Sequence, residues 1–156
     1  MTEKPTRTIV VEDLDPSFRD EVASVPGGEN IKKCYACGTC AAGCPVTGAD
    51  EEYNCRKIIR QVLMGLREEV LKSPQIWLCA LCYRCTARCP QGVNFTDVMR
   101  ALRFLAVRDG LAPADMASSG EEIEKLTQLI RRDLIQGSSE GRKKVMAELK
   151  AKIAKV

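Results

Sequence analysis

The sequence predicts a mainly α-helical protein built around two cysteine-rich loops. Three observations carry that expectation. Aromatic residues make up only 4% of the 156 positions, which is thin for sheets that favour aromatic and β-branched side chains. Away from the cysteines, apolar residues recur every three or four positions, the period of a helix facing a core. Finally, eight of the nine cysteines fall into two runs of identical register, 45 residues apart: Cys34, Cys37, Cys40, Cys44 and Pro45 recur as Cys79, Cys82, Cys85, Cys89 and Pro90.

Residues 1–33 read as a lead-in segment. A short strand is expected at Thr8 to Val11, then a helix of one or two turns. Asp15 would cap that helix, with Pro16 at its first position, where the missing N–H costs nothing. Pro26, Gly27 and Gly28 end it. The first cysteine run leads into a helix that carries Cys55, Ile58, Ile59, Val62, Leu63 and Leu66 on one face. Ser73 and Pro74 start a short helix whose Ile76, Trp77 and Leu78 run into Cys79. After the second run, Asn94 is placed to cap a helix bearing Val98, Leu102, Leu105 and Val107. Residues 34–110 thus form one domain with a pseudo-twofold internal repeat.

In residues 111–156, Ile123, Leu126, Ile130 and Leu134 mark an amphipathic helix preceded by Ser118, Ser119 and Gly120. The stretch from Gly137 to Gly141 breaks it. Val145, Leu149 and Ile153 then mark a second, lysine-rich helix. Both are expected to pack on the core or on a partner.

Composition removes whole classes of function. Histidine is absent, so no His-based nucleophile, proton relay or metal ligand can operate. The formal charge is +3, from 24 basic and 21 acidic residues, with no basic stripe interleaved with aromatics, so nucleic-acid binding is not expected. Eight thiolates around two dipositive cores would outweigh that small excess. The N-terminal apolar run, Ile9 to Val11, is too short for a secretory signal, and no stretch is long enough to span a membrane. These features predict a cytoplasmic protein, where clustered cysteines serve as metal ligands rather than disulfides.

Each run reads C-x2-C-x2-C-x3-C-P. Three cysteines at intervals of three wrap one loop around a cubane and give three irons a thiolate each. The fourth, displaced by one residue and followed by proline, serves the other cluster in this spacing. The expected sets are Cys34, Cys37, Cys40 and Cys89 for one [4Fe–4S] cluster, and Cys79, Cys82, Cys85 and Cys44 for the second. Pro45 and Pro90 would stop the ligand loops from running on into helix. Gly38 and Gly43 would let backbone N–H groups approach the sulfurs. Zinc is the competing occupant, but its sites use separated C-x2-C knuckles rather than three cysteines in one loop.

Cys55, outside the repeat, reads as a buried small apolar residue. Its alternatives are a substitute ligand or a redox-active thiol. Lys32, Lys33, Arg56, Arg84 and Arg88 stand near the runs and could offset the negative clusters or steer a redox partner. No catalytic residue is assigned. There is no G-x-G-x-x-G for a flavin or nicotinamide and no adjacent cysteine pair. Two cubanes with every position filled by cysteine would leave no open site for substrate.

The two runs, Cys34-Tyr-Ala-Cys37-Gly38-Thr-Cys40-Ala-Ala-Gly-Cys44-Pro45 and Cys79-Ala-Leu-Cys82-Tyr-Arg-Cys85-Thr-Ala-Arg-Cys89-Pro90, resemble those of HdrC, the two-cluster iron–sulfur subunit of heterodisulfide reductase. The likeness covers roughly residues 14 to 108. The 34 residues between the runs resemble the spacing of an α-helical ferredoxin rather than the compact β-rich bacterial type. Similar modules occur in the iron–sulfur subunits of succinate dehydrogenase and of anaerobic glycerol-3-phosphate dehydrogenase, where further domains precede or follow.

The resemblance implies an electron-transfer subunit with two [4Fe–4S] clusters, not catalytic by itself. It would wire a flavin-containing HdrA-type subunit to a disulfide-reducing HdrB-type subunit, within a complex that can extend to a hydrogenase or dehydrogenase assembly. A free-standing ferredoxin-like carrier and a zinc-stabilised interaction adaptor are the alternatives.

Overall fold

A computed structural model of the chain describes residues 9–154, and among these the regular structure is helical, without a strand. The strand expected at Thr8 to Val11 is not found in the described part. Thr8 lies outside the described residues, and Val11–Asp13 is a single 3-10 turn with Val11 exposed. A lone extended segment has no neighbour to satisfy its backbone.

Helix α1 is Phe18–Ser24, and it begins later than Pro16 suggests. Asp15 closes a turn instead of capping the helix. Its Oδ1 accepts from Ser17 N at 2.9 Å and from Ser17 Oγ at 2.5 Å, the local bond that makes Asp a turn residue. Pro16 sits within that turn. Phe18 and Val22 are fully buried, each worth about 1.5–3 kcal/mol of apolar burial.

A 3-10 turn at Ile31–Lys33 leads into the first cysteine run, which holds the short helices α2, Thr39–Ala42, and α3, Pro45–Ala49. Pro45 does not keep the loop out of helix. It forces Cys44 into extended backbone (φ −79°, ψ 124°) and then occupies the first position of α3. Pro90, by contrast, lies in a turn after the second run.

Helix α4, Cys55–Leu63, is capped by Asn54, whose side chain accepts from Lys57 N at 3.1 Å. It buries Cys55, Ile58, Ile59 and Val62, most of the expected stripe. Next come α5, Arg67–Leu71, and α6, Gln75–Leu78, the latter started by Ser73 Oγ accepting from Gln75 N at 3.1 Å. The second run holds α7, Arg84–Arg88, and is followed by α8, Phe95–Arg108. Asn94 takes the cap position of α8 in left-handed backbone (φ 56°) and makes no side-chain cap bond. Val98, Leu102 and Leu105 are buried, while Val107 is half-buried.

The chain divides into two compact units, residues 1–114 and 115–156. In the first, α1 packs on α4 and α8, α5 packs on the same two helices, and α2 lies against α7. Ion pairs clamp the α1–α5–α8 side: Arg67 Nε meets Glu21 Oε2 at 3.2 Å and Arg108 Nε meets Asp109 Oδ1 at 2.7 Å, with Arg67–Asp109 and Arg108–Glu21 completing the ring.

The second unit holds α9, Met116–Gln136, and α10, Ser139–Ile153. Ser118 to Gly120 lie inside α9 rather than before it. The break is confined to Gly137 and Ser138, and Ser138 Oγ caps α10 by accepting from Gly141 N at 3.1 Å. Ile123, Leu126, Ile130, Val145 and Ile153 are exposed. Among the described residues, no helix is long and apolar enough to cross a membrane.

Candidate metal centre

The two cysteine runs share more than spacing: their backbones repeat. Cys34 (φ −71°, ψ 118°) matches Cys79 (φ −62°, ψ 118°), and Cys44 (φ −79°, ψ 124°) matches Cys89 (φ −74°, ψ 115°). Between them, Ala36 (φ 62°) and Gly38 (φ 84°) are left-handed in the first run, as Leu81 (φ 47°) and Tyr83 (φ 59°) are in the second. Left-handed residues flanking the second cysteine curl the loop so that backbone N–H groups converge on its concave side, a nest for negative charge. Ala36 N donates to Cys34 Sγ at 3.4 Å. Leu81 N stands near Cys79 in the corresponding place. Outside the nest, Val93 N donates to Cys89 Sγ, also at 3.4 Å.

Such geometry costs about 1–2 kcal/mol for a residue with a Cβ, and only Gly38 among the four escapes it. Gly43 is small for a different reason from the one expected. Its φ is −105°, and a Cβ there would lie 2.3 Å from Arg88 Nη1. The glycine clears space for a side chain, not for a sulfur.

The third cysteine of each run, Cys40 or Cys85, is carried on α2 or α7. Because these helices pack on each other, each run's last cysteine is delivered to the far side. One cavity, with about 400 Å³ of empty space, is lined by Cys34, Cys37, Cys40 and Cys89, together with Arg56. A second, with about 290 Å³, is lined by Cys44, Cys79, Cys82 and Cys85, together with Arg84. Cys85 and Phe95 line both, so the cavities share a wall. All nine cysteines are free thiols. The sulfurs ring spaces rather than a point: among the described residues, no group of three or more Cys, Asp or Glu is placed to hold one metal ion.

The donor set suits iron–sulfur clusters. Each cavity offers four thiols, and at the first the N–H groups of Ala36 and Val93 reach two of the sulfurs, the chemistry that thiolate-bound cubanes need. Cys55 is buried and lines the second cavity, yet its thiol also interacts with that of Cys40. That interaction pulls Cys40 down to about 6 and, with burial, pushes Cys55 well up. Burial raises Cys34 and Cys79, whereas the Thr39 hydroxyl, 3.4 Å from Cys37 Sγ, holds Cys37 down.

Several residues at these sites were invisible to spacing arguments. Arg103 is driven under the second loop, where Nε donates to Ile76 O at 2.8 Å and Nη2 donates to Trp77 O at 3.2 Å and Cys79 O at 2.8 Å. Its guanidinium stacks 5.4 Å from the Trp77 ring centroid, and burial lowers its pKa. Thr96, fully buried, has Oγ1 3.3 Å from Cys85 Sγ. The Tyr53 hydroxyl is buried beside Cys79 and has no partner at normal hydrogen-bond geometry among the described residues. A helical period marks Arg103 and Thr96 only as interruptions of an apolar face. Of the basic residues near the runs, Lys32 pairs with Asp20.

Comparison with known proteins agrees with this geometry. Residues 30–93 match the 4Fe–4S dicluster domain family. Over 117 residues, 70% of this chain and 60% of the relative, the sequence is 39% identical to the HdrC-type iron–sulfur subunit of the CoB–CoM heterodisulfide reductase of Methanopyrus kandleri. This chain is a homologue of HdrC, the iron–sulfur subunit of heterodisulfide reductase. The corresponding HdrC-type subunit of Methanocaldococcus jannaschii is 45% identical over 53% of the chain and 43% of its own length. That of the ferredoxin:CoB–CoM heterodisulfide reductase of Methanosarcina mazei is 43% identical over 53% and 50% respectively. The chain thus matches about half of each curated relative's length. Homology and fold together mark it as an α-helical, ferredoxin-like iron–sulfur protein of the 4Fe–4S dicluster kind.

Proposed function

We propose that the chain relays electrons through two [4Fe–4S] clusters inside a heterodisulfide reductase-type complex, between a flavin-containing HdrA-type subunit and a disulfide-reducing HdrB-type subunit. When bound, the clusters supply reversible one-electron chemistry at iron held entirely by thiolate. Cys34, Cys37, Cys40 and Cys89 would hold the first and Cys79, Cys82, Cys85 and Cys44 the second. The observation that carries this reading is the pair of cysteine-lined cavities sharing Cys85 and Phe95. That sharing would keep the two centres at a short, fixed separation. The N–H groups of Ala36 and Val93 stabilise thiolate charge at Cys34 and Cys89. Ile59, Val93 and Phe95, all buried, form the apolar wall of the first cavity.

The exposed apolar residues of α9 and α10, among them Ile123, Ile135 and Ile153, support a reading of residues 111–156 as the part that meets other subunits. A location in the cytoplasm follows from reduced cysteines in these numbers. Anaerobic purification from the native source, with co-purifying chains identified and iron and labile sulfide counted, tests the proposal. Close to eight of each, with flavin-bearing and disulfide-reducing partners, is the expected result. Stoichiometric zinc without sulfide would sink it, as would disulfide reduction by this chain alone.

A further inference from the structure

Both cavities have one arginine, one threonine and one tyrosine within reach of their cysteines, but the hydroxyls are placed differently. At the first, Thr39 and Tyr35 both act on Cys37, which is exposed, and Tyr35 itself is 59% exposed. Water competes for those bonds. At the second, Thr96 and Tyr53 are each 0% exposed and stand beside Cys85 and Cys79. Thr96 is already engaged, with Thr86 Oγ1 3.4 Å and Cys85 Sγ 3.3 Å away. Tyr53 has no partner in normal geometry, and it lines the cavity. A buried hydroxyl without a partner is costly and rare in folded proteins. This one lines the same cavity as Cys44, Cys79, Cys82 and Cys85.

Resting on the two-cluster reading above, we propose that Tyr53 donates a hydrogen bond to sulfur at the second site, and that this bond makes the second site the stronger electron acceptor of the two. A hydrogen bond to sulfur favours the more negative, reduced state. It is stronger where the local dielectric is low. The buried hydroxyls therefore raise the potential of the Cys79/Cys82/Cys85/Cys44 site above that of the Cys34/Cys37/Cys40/Cys89 site, whose hydroxyl bonds are open to water. An electron delivered by a one-electron donor oxidises that donor and comes to rest at the second site. Transfer between the sites oxidises the first by one electron and reduces the second by one, with no bond made or broken.

The experiment is a potentiometric titration of the reconstituted full chain, followed by electron paramagnetic resonance. Cys34→Ser and Cys79→Ser assign the two signals. The wild type should show two midpoints, the higher at the second site. Tyr53→Phe, which keeps the ring and loses only the donor, should lower that midpoint by about tenfold in electron affinity, or about 59 mV for one electron, and leave the first unmoved. Replacing Tyr53 by 3-fluorotyrosine, a stronger donor of similar size, should raise the same midpoint; this holds even if the phenylalanine variant loads poorly. Equal shifts at both sites, no shift, or the higher potential at the first site would overturn the assignment. Absence of iron and labile sulfide in the wild type would overturn the cluster reading itself, a result distinct from an unmoved midpoint.

Discussion

The two cysteine loops are copies in sequence and backbone, yet they stand in different surroundings. Both open their second cysteine, Cys37 or Cys82, and a neighbouring tyrosine to solvent, but the first has Arg56 of α4 at its cavity and only exposed hydroxyls, those of Tyr35 and Thr39. The second is tied down from beneath. Arg103 of α8 grips three of its carbonyls, and Tyr53 and Thr96 stand beside its sulfurs. Repetition of a motif copies the ligand geometry. It does not copy the environment, because each loop packs against a different helix.

The largest expected effects test whether the copies share their ligands across the repeat. Cys44→Ser should damage the centre built on Cys79, Cys82 and Cys85, and Cys89→Ser the one built on Cys34, Cys37 and Cys40, as read by the loss of one resonance signal in each. Damage confined to each variant's own run would show two independent loops.

Next is the support unique to the second loop. Arg103→Met removes charge-assisted bonds to Ile76, Trp77 and Cys79 carbonyls, and should cost about 2–3 kcal/mol in chemical denaturation. It should also release the second cluster before the first on dilution into chelator. Simultaneous loss of both would erase the contrast between the loops.

The left-handed positions sharpen the comparison at smaller scale. Gly38→Ala should cost about 1 kcal/mol; its Cβ would meet only the Arg56 guanidinium at 3.7 Å, so strain rather than collision sets the loss. Tyr83→Gly at the matching position should change stability less. Relief of its backbone is offset by losing the Arg100 stack, 5.6 Å from the ring, and the Asp97 bond at 3.3 Å. Cys55→Ala should likewise cost about 1 kcal/mol of packing and leave iron content unchanged; loss of iron would make Cys55 a ligand.

The smallest effect lies outside both loops and gives their baseline. Hydrogen bonds from Arg108, then Arg67, hold Asp109 below the usual carboxylate range. A depressed folded pKa contributes stability above the unfolded value of about 3.9, and loses it only as pH falls through the folded value. The stability difference between wild type and Asp109→Asn should therefore stay flat from pH 8 to pH 5. A difference that shrinks within that range would show that the carboxyl is not held down.

Where periodicity and spacing are strong, the sequence is readable. Ile58, Ile59 and Val62 are buried on α4 as their spacing demands, and so are Val98, Leu102 and Leu105 on α8. The ends of elements are less legible. Asp15 bonds Ser17 locally and so moves the start of α1, and Ser118 to Gly120 are absorbed into α9. These outcomes turn on short-range competition between side chain and backbone, which composition does not rank.

By itself the sequence determined the helical class, the 45-residue repeat and the cysteine chemistry, because each rests on residue type and interval alone. Tertiary structure decided the rest. It seated α2 on α7, with Cys89 lining the first cavity and Cys44 the second, the exchange that the cysteine interval points to. Only the fold drew the buried Tyr53 and Thr96, and Arg103, to one loop, while the hydroxyls beside the other, Thr39 and Tyr35, are exposed. The physical reason is that a ligand interval is fixed along the chain, whereas burial and hydrogen-bond partners are set by what packs across it.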